Sequence, residues 1–212
     1  MKKALTILCA ILLAVGLSGS ASALVFELDH YDINLNDTDP GLVLNYGKIL
    51  STPGSGDLSL GASYTTQLFK LWTNETTVNG DDTVPQNIFV DFYFTRPDSF
   101  TGTVGGQTNG NRSSWWIFSG YYQYGAVTWS GPQTLYFGPE GDGELLVSLS
   151  DATFNAGFFG LNEGRCPGAV IDVTFTYLKE ASSQAPVPEP ATMLLLGFGL
   201  IGIAGVTRKK LQ

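Results

Sequence analysis

A chain of 212 residues has room for one ordinary domain plus terminal segments, and 43% hydrophobic residues suffice for a core, which excludes a disordered protein. Its basic residues gather at the two ends: between Leu24 and Glu180 six basic residues face eighteen acidic ones, a net of −12. Such a surface repels phosphate backbones, so nucleic acid is excluded as a partner.

The opening stretch, "MKKALTILCAILLAVGLSGSASA", has the three parts of a secretory signal. Lys2 and Lys3 supply the positive end, Ala4 to Leu17 the apolar centre, and Ala21-Ser22-Ala23 the small residues that a signal peptidase accepts. Residues 1–23 are therefore expected to form a signal helix cleaved after Ala23. Cys9 leaves with it, and Cys166 remains as the mature chain's single cysteine, which rules out an intramolecular disulfide. A thiol of this kind packs as a small hydrophobe, so Cys166 is expected to be buried.

From Leu24 to Leu178 the apolar residues recur with period two. The first strand candidate, "LVFELDHYDI", holds the chain's one histidine, His30, which is expected at a surface or rim. One histidine and one mature cysteine exclude a zinc site of the usual kind. Glu27, Asp29 and Asp32 echo the E-x-D-x-x-E pattern of some jelly-roll glycoside hydrolases, with Glu27 and Asp29 on one face. The echo breaks at Asp32, and chance acidic spacing explains it better.

Next come two turn-rich stretches, "NLNDTDPG" and "NGDD". Their Asp37, Asp39, Asp81 and Asp82 offer the oxygen ligands calcium takes, without the spacing of a known calcium loop. Tight turns favour the same residues. No cofactor is expected on this reading, calcium being the one these loops could take.

"LVLNYGKIL" and "YTTQLFKLW" are further strand candidates. In "NIFVDFYFT", Ile88, Val90, Phe92 and Phe94 share one face, with Phe89, Asp91 and Tyr93 opposite. "SSWWIFS", "QTLYF" and "GELLVSLS" follow. In "AVIDVTFTYLK", Ala169, Ile171, Val173, Phe175 and Tyr177 point inward. Gly-, Pro-, Asn- and Asp-rich clusters, among them "STPGSGD" and "VGGQTNGN", read as the loops between strands. Residues 24–179 are thus expected to form an all-β domain, an antiparallel β-sandwich of jelly-roll-like form. Within it, "WWIFSGYYQYGAVTW" concentrates aromatic rings. Trp115, Trp116, Tyr122 and Trp129 are the candidates for stacking on sugar rings, with Tyr121 and Tyr124 beside them.

After a polar tether at residues 180–187, the chain closes with "VPEPATMLLLGFGLIGIAGVTRKKLQ". Ala191 to Val206 is an apolar run with Thr192 as its one polar residue, long enough to cross most of a bilayer as a helix. Arg208, Lys209 and Lys210 extend it by snorkelling and hold the basic end in the cytoplasm, which leaves the domain outside.

Pro188-Glu189-Pro190, an apolar span and a terminal basic cluster in that order resemble the PEP-CTERM sorting signal over residues 188–212. The resemblance implies recognition by an exosortase, a membrane-embedded transpeptidase-like enzyme of Gram-negative bacteria, and removal of the tail near the prolines. It also implies release or attachment at the cell surface, and an association with exopolysaccharide or biofilm matrix. "LFKLWTNETTVNGDDTVPQNIFVDFYFT" and "LLVSLSDATFNAG" are similar to body domains that precede this tail, a likeness that carries no activity. The reading that results is an exported, non-enzymatic surface or matrix protein. Its processing enzymes are signal peptidase and exosortase, its transient anchor is the C-terminal transmembrane helix, and exopolysaccharide is a candidate partner. A lectin-like carbohydrate-binding module is the second reading and a secreted glycoside hydrolase the third.

Overall fold

A computed structural model describes residues 23–114 and 121–182. Among these residues the chain is all β, with eleven strands: β1 (Leu24–Asn34), β2 (Asn45–Lys48), β3 (Gly54–Leu58), β4 (Ser63–Trp72), β5 (Gln86–Arg96), β6 (Phe100–Ser114), β7 (Tyr121–Trp129), β8 (Gln133–Phe137), β9 (Gly143–Leu149), β10 (Ala152–Phe158) and β11 (Ala169–Lys179). They form two sheets, one ordered β10-β7-β6-β5-β1-β3 and the other β2-β4-β11-β9-β8. Every neighbouring pair runs antiparallel. The expected signal helix and transmembrane helix fall outside the described residues.

The alternation seen in the sequence is the reason for the layering, because side chains on a strand point to opposite faces in turn. Ile88, Val90, Phe92 and Phe94 of β5 are buried, as are Ile171, Val173, Phe175 and Tyr177 of β11. Across the gap Phe92 meets Phe175 edge-on at 5.9 Å, and Phe26 of β1 meets Phe137 of β8 at 5.3 Å and Tyr177 at 5.4 Å. Edge-to-face pairs add about 0.5–1.5 kcal/mol each beyond the area they bury. These contacts bind the two sheets into one core. Tyr31 is also fully buried there, and its hydroxyl donates to the Leu68 carbonyl at 2.7 Å. Burial pushes that phenol up to about 12.

Two glycine-rich clusters are strands, not the loops expected of them. "STPGSGD" contributes to β3, an edge strand paired with β1. "VGGQTNGN" lies wholly within β6, which is paired on both sides, with β5 and with β7. Close packing explains it. A Cβ on Gly106 would stand 2.8 Å from the Trp129 ring and 2.8 Å from the Thr128 carbonyl oxygen, so the indole covers the backbone where a side chain would sit. Turn-like composition here reflects contact, not a change of direction.

Candidate functional site

The carboxylates of β1 are each engaged by a basic side chain. β1 shifts register between Leu28 and His30, a bulge that lets Phe26, Leu28, Tyr31 and Ile33 all face inward. On the outer side Glu27 pairs with Arg96 at 3.1 Å, and Asp32 with Lys48 at 3.4 Å. Asp29 accepts a hydrogen bond from His30 Nδ1 at 2.8 Å. The His30 ring stacks on Tyr93 with centroids 4.1 Å apart, a surface placement as the sequence suggests. His30 Nε2 also lies 4.0 Å from Asp32, so the pattern that echoes a glycoside hydrolase becomes a chain of surface ion pairs, each carboxylate engaged by a basic group.

Cys166 corrects an expectation. It is exposed, in the loop between β10 and β11. The backbone of that loop is turned inward: Gly164 N donates to the Thr73 carbonyl at 2.8 Å, and Asn155 N to the Pro167 carbonyl at 2.9 Å. Between these anchors Arg165 reaches back over the Trp72 ring, and the short Cys166 side chain is left facing solvent.

Of the aromatic candidates, Trp115 and Trp116 lie outside the described residues. Trp129 is 7% exposed, and its indole N–H donates to the Ser150 carbonyl at 3.0 Å, so its face belongs to the core and not to a ligand. Tyr122 stays outside, 5.7 Å from Tyr124 and 5.3 Å from Phe158 between ring centroids. Phe158 is 68% exposed and Phe159 77%, the latter at a positive φ of 69°. This pair was missed in the sequence because a strand end and a turn carry no aromatic motif. Tyr122, Tyr124 and Phe158 form an apolar patch at the β7–β10 pair, with Phe159 exposed beside Phe158 in the chain.

The turn-rich acidic stretches converge at the same end of the sandwich. One oxygen each from Asp39 in the β1–β2 connection and from Glu75 and Asp82 in the β4–β5 connection all lie within 4.8 Å of one another. Asp37 and Asp81 do not join them. Asp37 lines a separate cleft with Leu35 and Tyr46, and Asp81 Oδ2 accepts from the Gly41 amide at 3.2 Å.

Local bonding sets the cluster in place. Asn79 Oδ1 accepts from the amides of Asp81 at 3.1 Å and Asp82 at 3.3 Å, while Asp82 Oδ2 accepts from the Asn79 amide at 2.7 Å. This reciprocal turn fixes the Asp82 side chain, which is fully buried. Glu75 Oε1 accepts from the Val43 amide at 2.6 Å, bridging the two connections. Burial raises the Glu75 pKa above the ordinary glutamate range; the Val43 amide opposes this, and the facing Asp82 and Asp39 carboxylates add to the rise. Glu75 was invisible to sequence reasoning, since it stands alone in "TNETT" and joins the aspartates only through the fold.

The sorting residues Pro188, Glu189 and Pro190, the anchor ends Ala191, Val206, Arg208, Lys209 and Lys210, and the cleavage residue Ala21 lie outside the described residues; Ala23 is the first residue described. No helix of the described residues is long and apolar enough to cross a membrane. The folded body is clasped up to its last described residue. The Ser182 amide and hydroxyl donate to Asp142 at 2.9 and 2.6 Å, which holds the Asp142 carboxyl below its usual range.

A family model, the PEP-CTERM protein-sorting motif, matches residues 186–209. Comparison with curated proteins and with solved structures finds no match.

Proposed function

We propose that this chain, which ends in a PEP-CTERM protein-sorting motif, is a non-enzymatic protein of the cell surface or extracellular matrix, delivered there by an exosortase. The motif carries the reading. It begins at residue 186, a few residues past the Ser182–Asp142 clasp. An extended chain covers at most about 3.3–3.6 Å per residue, so residues 183–190, up to the apolar run at Ala191, reach under ~30 Å. During sorting the sandwich therefore sits close against the membrane, and its net negative body stays in water. The N-terminal signal exports the chain, the C-terminal helix anchors it for a time, and processing near Pro188-Glu189-Pro190 frees it. We read the shuttling of β1 to β4 and of β9 to β11 between the two sheets as jelly-roll-like. The engagement of Glu27 by Arg96, and of Asp29 and Asp32 by His30 and Lys48, supports a non-enzymatic role. Exopolysaccharide is the matrix partner this reading favours.

Intact mass of the protein from membrane, surface and medium fractions tests the reading. Surface and medium forms are expected to begin after Ala23 and to lack the apolar tail. A surface form that keeps residues 191–212 would count against sorting.

Carbohydrate binding is favoured by one observation, the exposed rings of Tyr122, Phe158 and Phe159. On a glycan array the full chain should bind, and Tyr122→Ala with Phe158→Ala should lose at least tenfold in signal. Silence of the wild type on every glycan removes this reading.

A further inference from the structure

We infer that Asp39, Glu75 and Asp82 form a calcium site at one end of the sandwich, closing the β1–β2 connection onto the β4–β5 connection. Two observations carry this. The first is geometric: one carboxylate oxygen from each residue lies within 4.8 Å of the other two. Oxygens bound to one cation at about 2.3–2.6 Å, the calcium range, lie no further apart than about twice that length, so this limit leaves the three close enough to share one ion.

The second observation is a polar atom without a partner. Asp82 is fully buried; its Oδ2 is taken by the Asn79 amide, and its Oδ1 has no hydrogen-bond partner. A buried carboxylate oxygen left unpaired is costly, and two further carboxylates beside it raise the cost. The ion pairs among the described residues are at Asp29, Asp32, Glu27 and Asp142, and none reaches this cluster. A single shared proton would serve one pair of oxygens and leave the third carboxylate facing them. One divalent cation serves all three.

The donor set selects the ion. Every ligand is an oxygen, with no histidine or thiolate among them, which suits a hard cation and not zinc or copper. Asn45 and Asn74 line the same cleft and can add neutral oxygens, so six to eight ligands are reachable with water, as calcium takes. Magnesium demands a tighter octahedron at about 2.0–2.1 Å. The ligands come from two loops and not from one rigid loop motif, so the affinity belongs to the class of extracellular modules, roughly 10⁻⁴–10⁻³ M. Bound calcium would crosslink two long connections that are otherwise joined through the Glu75–Val43 and Asp81–Gly41 bonds and the Thr73 hydroxyl on the Val43 carbonyl. The site does not depend on how the protein is sorted.

The test uses the full-length protein in detergent, with calorimetric titration of CaCl2 and thermal melts in EDTA and in 10 mM CaCl2. The wild type is expected to bind one equivalent and to melt about 3–10 °C higher with calcium. Glu75→Gln and Asp82→Asn should each weaken binding at least tenfold and remove that rise, while Asp57→Asn in β3 keeps it. In EDTA, Glu75→Gln should melt no lower than the wild type, since it relieves repulsion; a residue with a merely structural role would not behave so. If Asp82→Asn does not fold, Glu75→Gln decides, because the replacement amide oxygen can still accept from Val43. No calcium-dependent rise in the wild type, or a rise retained in Glu75→Gln, overturns the site. An equal rise in 10 mM MgCl2 overturns the assignment to calcium.

Discussion

Asn155→Ala should destabilise the domain by about 3–5 kcal/mol, measured by urea unfolding followed through tryptophan fluorescence. Asn155 is fully buried, where β10 breaks register between Phe154 and Gly157, and it adopts a positive φ of 53°. Its side chain satisfies three backbone groups on two other segments. Oδ1 accepts from the Thr73 amide at 3.0 Å, and Nδ2 donates to the carbonyls of Gly164 at 2.9 Å and of Asn162. A single amide thus ties the bulge to the β4–β5 connection and to the loop before β11.

Removing it leaves the Thr73 amide buried without an acceptor and two carbonyls without donors, each costing about 1–3 kcal/mol where water cannot enter. Domains of this size hold only ~5–15 kcal/mol in total, so the loss is a large share. Asparagine also suits the left-handed conformation better than alanine. Asn155→Gly should therefore recover up to ~1 kcal/mol of the loss, a difference that isolates the backbone contribution. A cost below 1 kcal/mol for the alanine variant would show that water or rearrangement replaces these bonds.

Gly125→Ala should cost about 3 kcal/mol or more. Gly125 lies on β7 directly opposite Phe154 of β10, and Phe154 is 1% exposed. A Cβ on Gly125 would stand 2.2 Å from the Phe154 ring, well inside contact distance. The ring is buried in the core next to the Asn155 bulge, so it has to displace other core atoms to make way for the methyl. Overpacking of this kind costs about 1–3 kcal/mol when neighbours can shift, and more when they cannot. Phe154→Leu in the Gly125→Ala background should return part of the loss, because a smaller, flexible side chain clears the methyl. The measurement is a double-mutant cycle by urea unfolding, and additivity within about 0.5 kcal/mol would refute the contact.

The candidate sites divide by how far apart their residues lie in the chain. Pro188-Glu189-Pro190 with its apolar span and basic end is contiguous, so its meaning was plain in the sequence and the family match agrees with it. Asp39 and Asp82 were legible only as two acidic turns. Glu75, which completes the cluster, carries no local signal at all. Trp129 shows the opposite failure: composition marked it as a surface ring, whereas Gly106 across the β6–β7 pair leaves a gap that the indole fills. Cys166 was expected inside for its chemistry and sits outside because its loop is anchored by backbone bonds.

The amino-acid sequence by itself determined the all-strand character, the inward faces of β5 and β11, the acidic body and the address at its C-terminus. Each is a property of neighbouring residues: alternation follows from strand geometry, and a membrane address is read as a linear string. Tertiary structure alone decided which glycine-rich stretches are strands, where the β1 bulge turns its carboxylates, and which acids meet. Those outcomes depend on pairing between segments distant in the chain, where one missing Cβ or one buried amide selects the partner, and no local pattern encodes that choice.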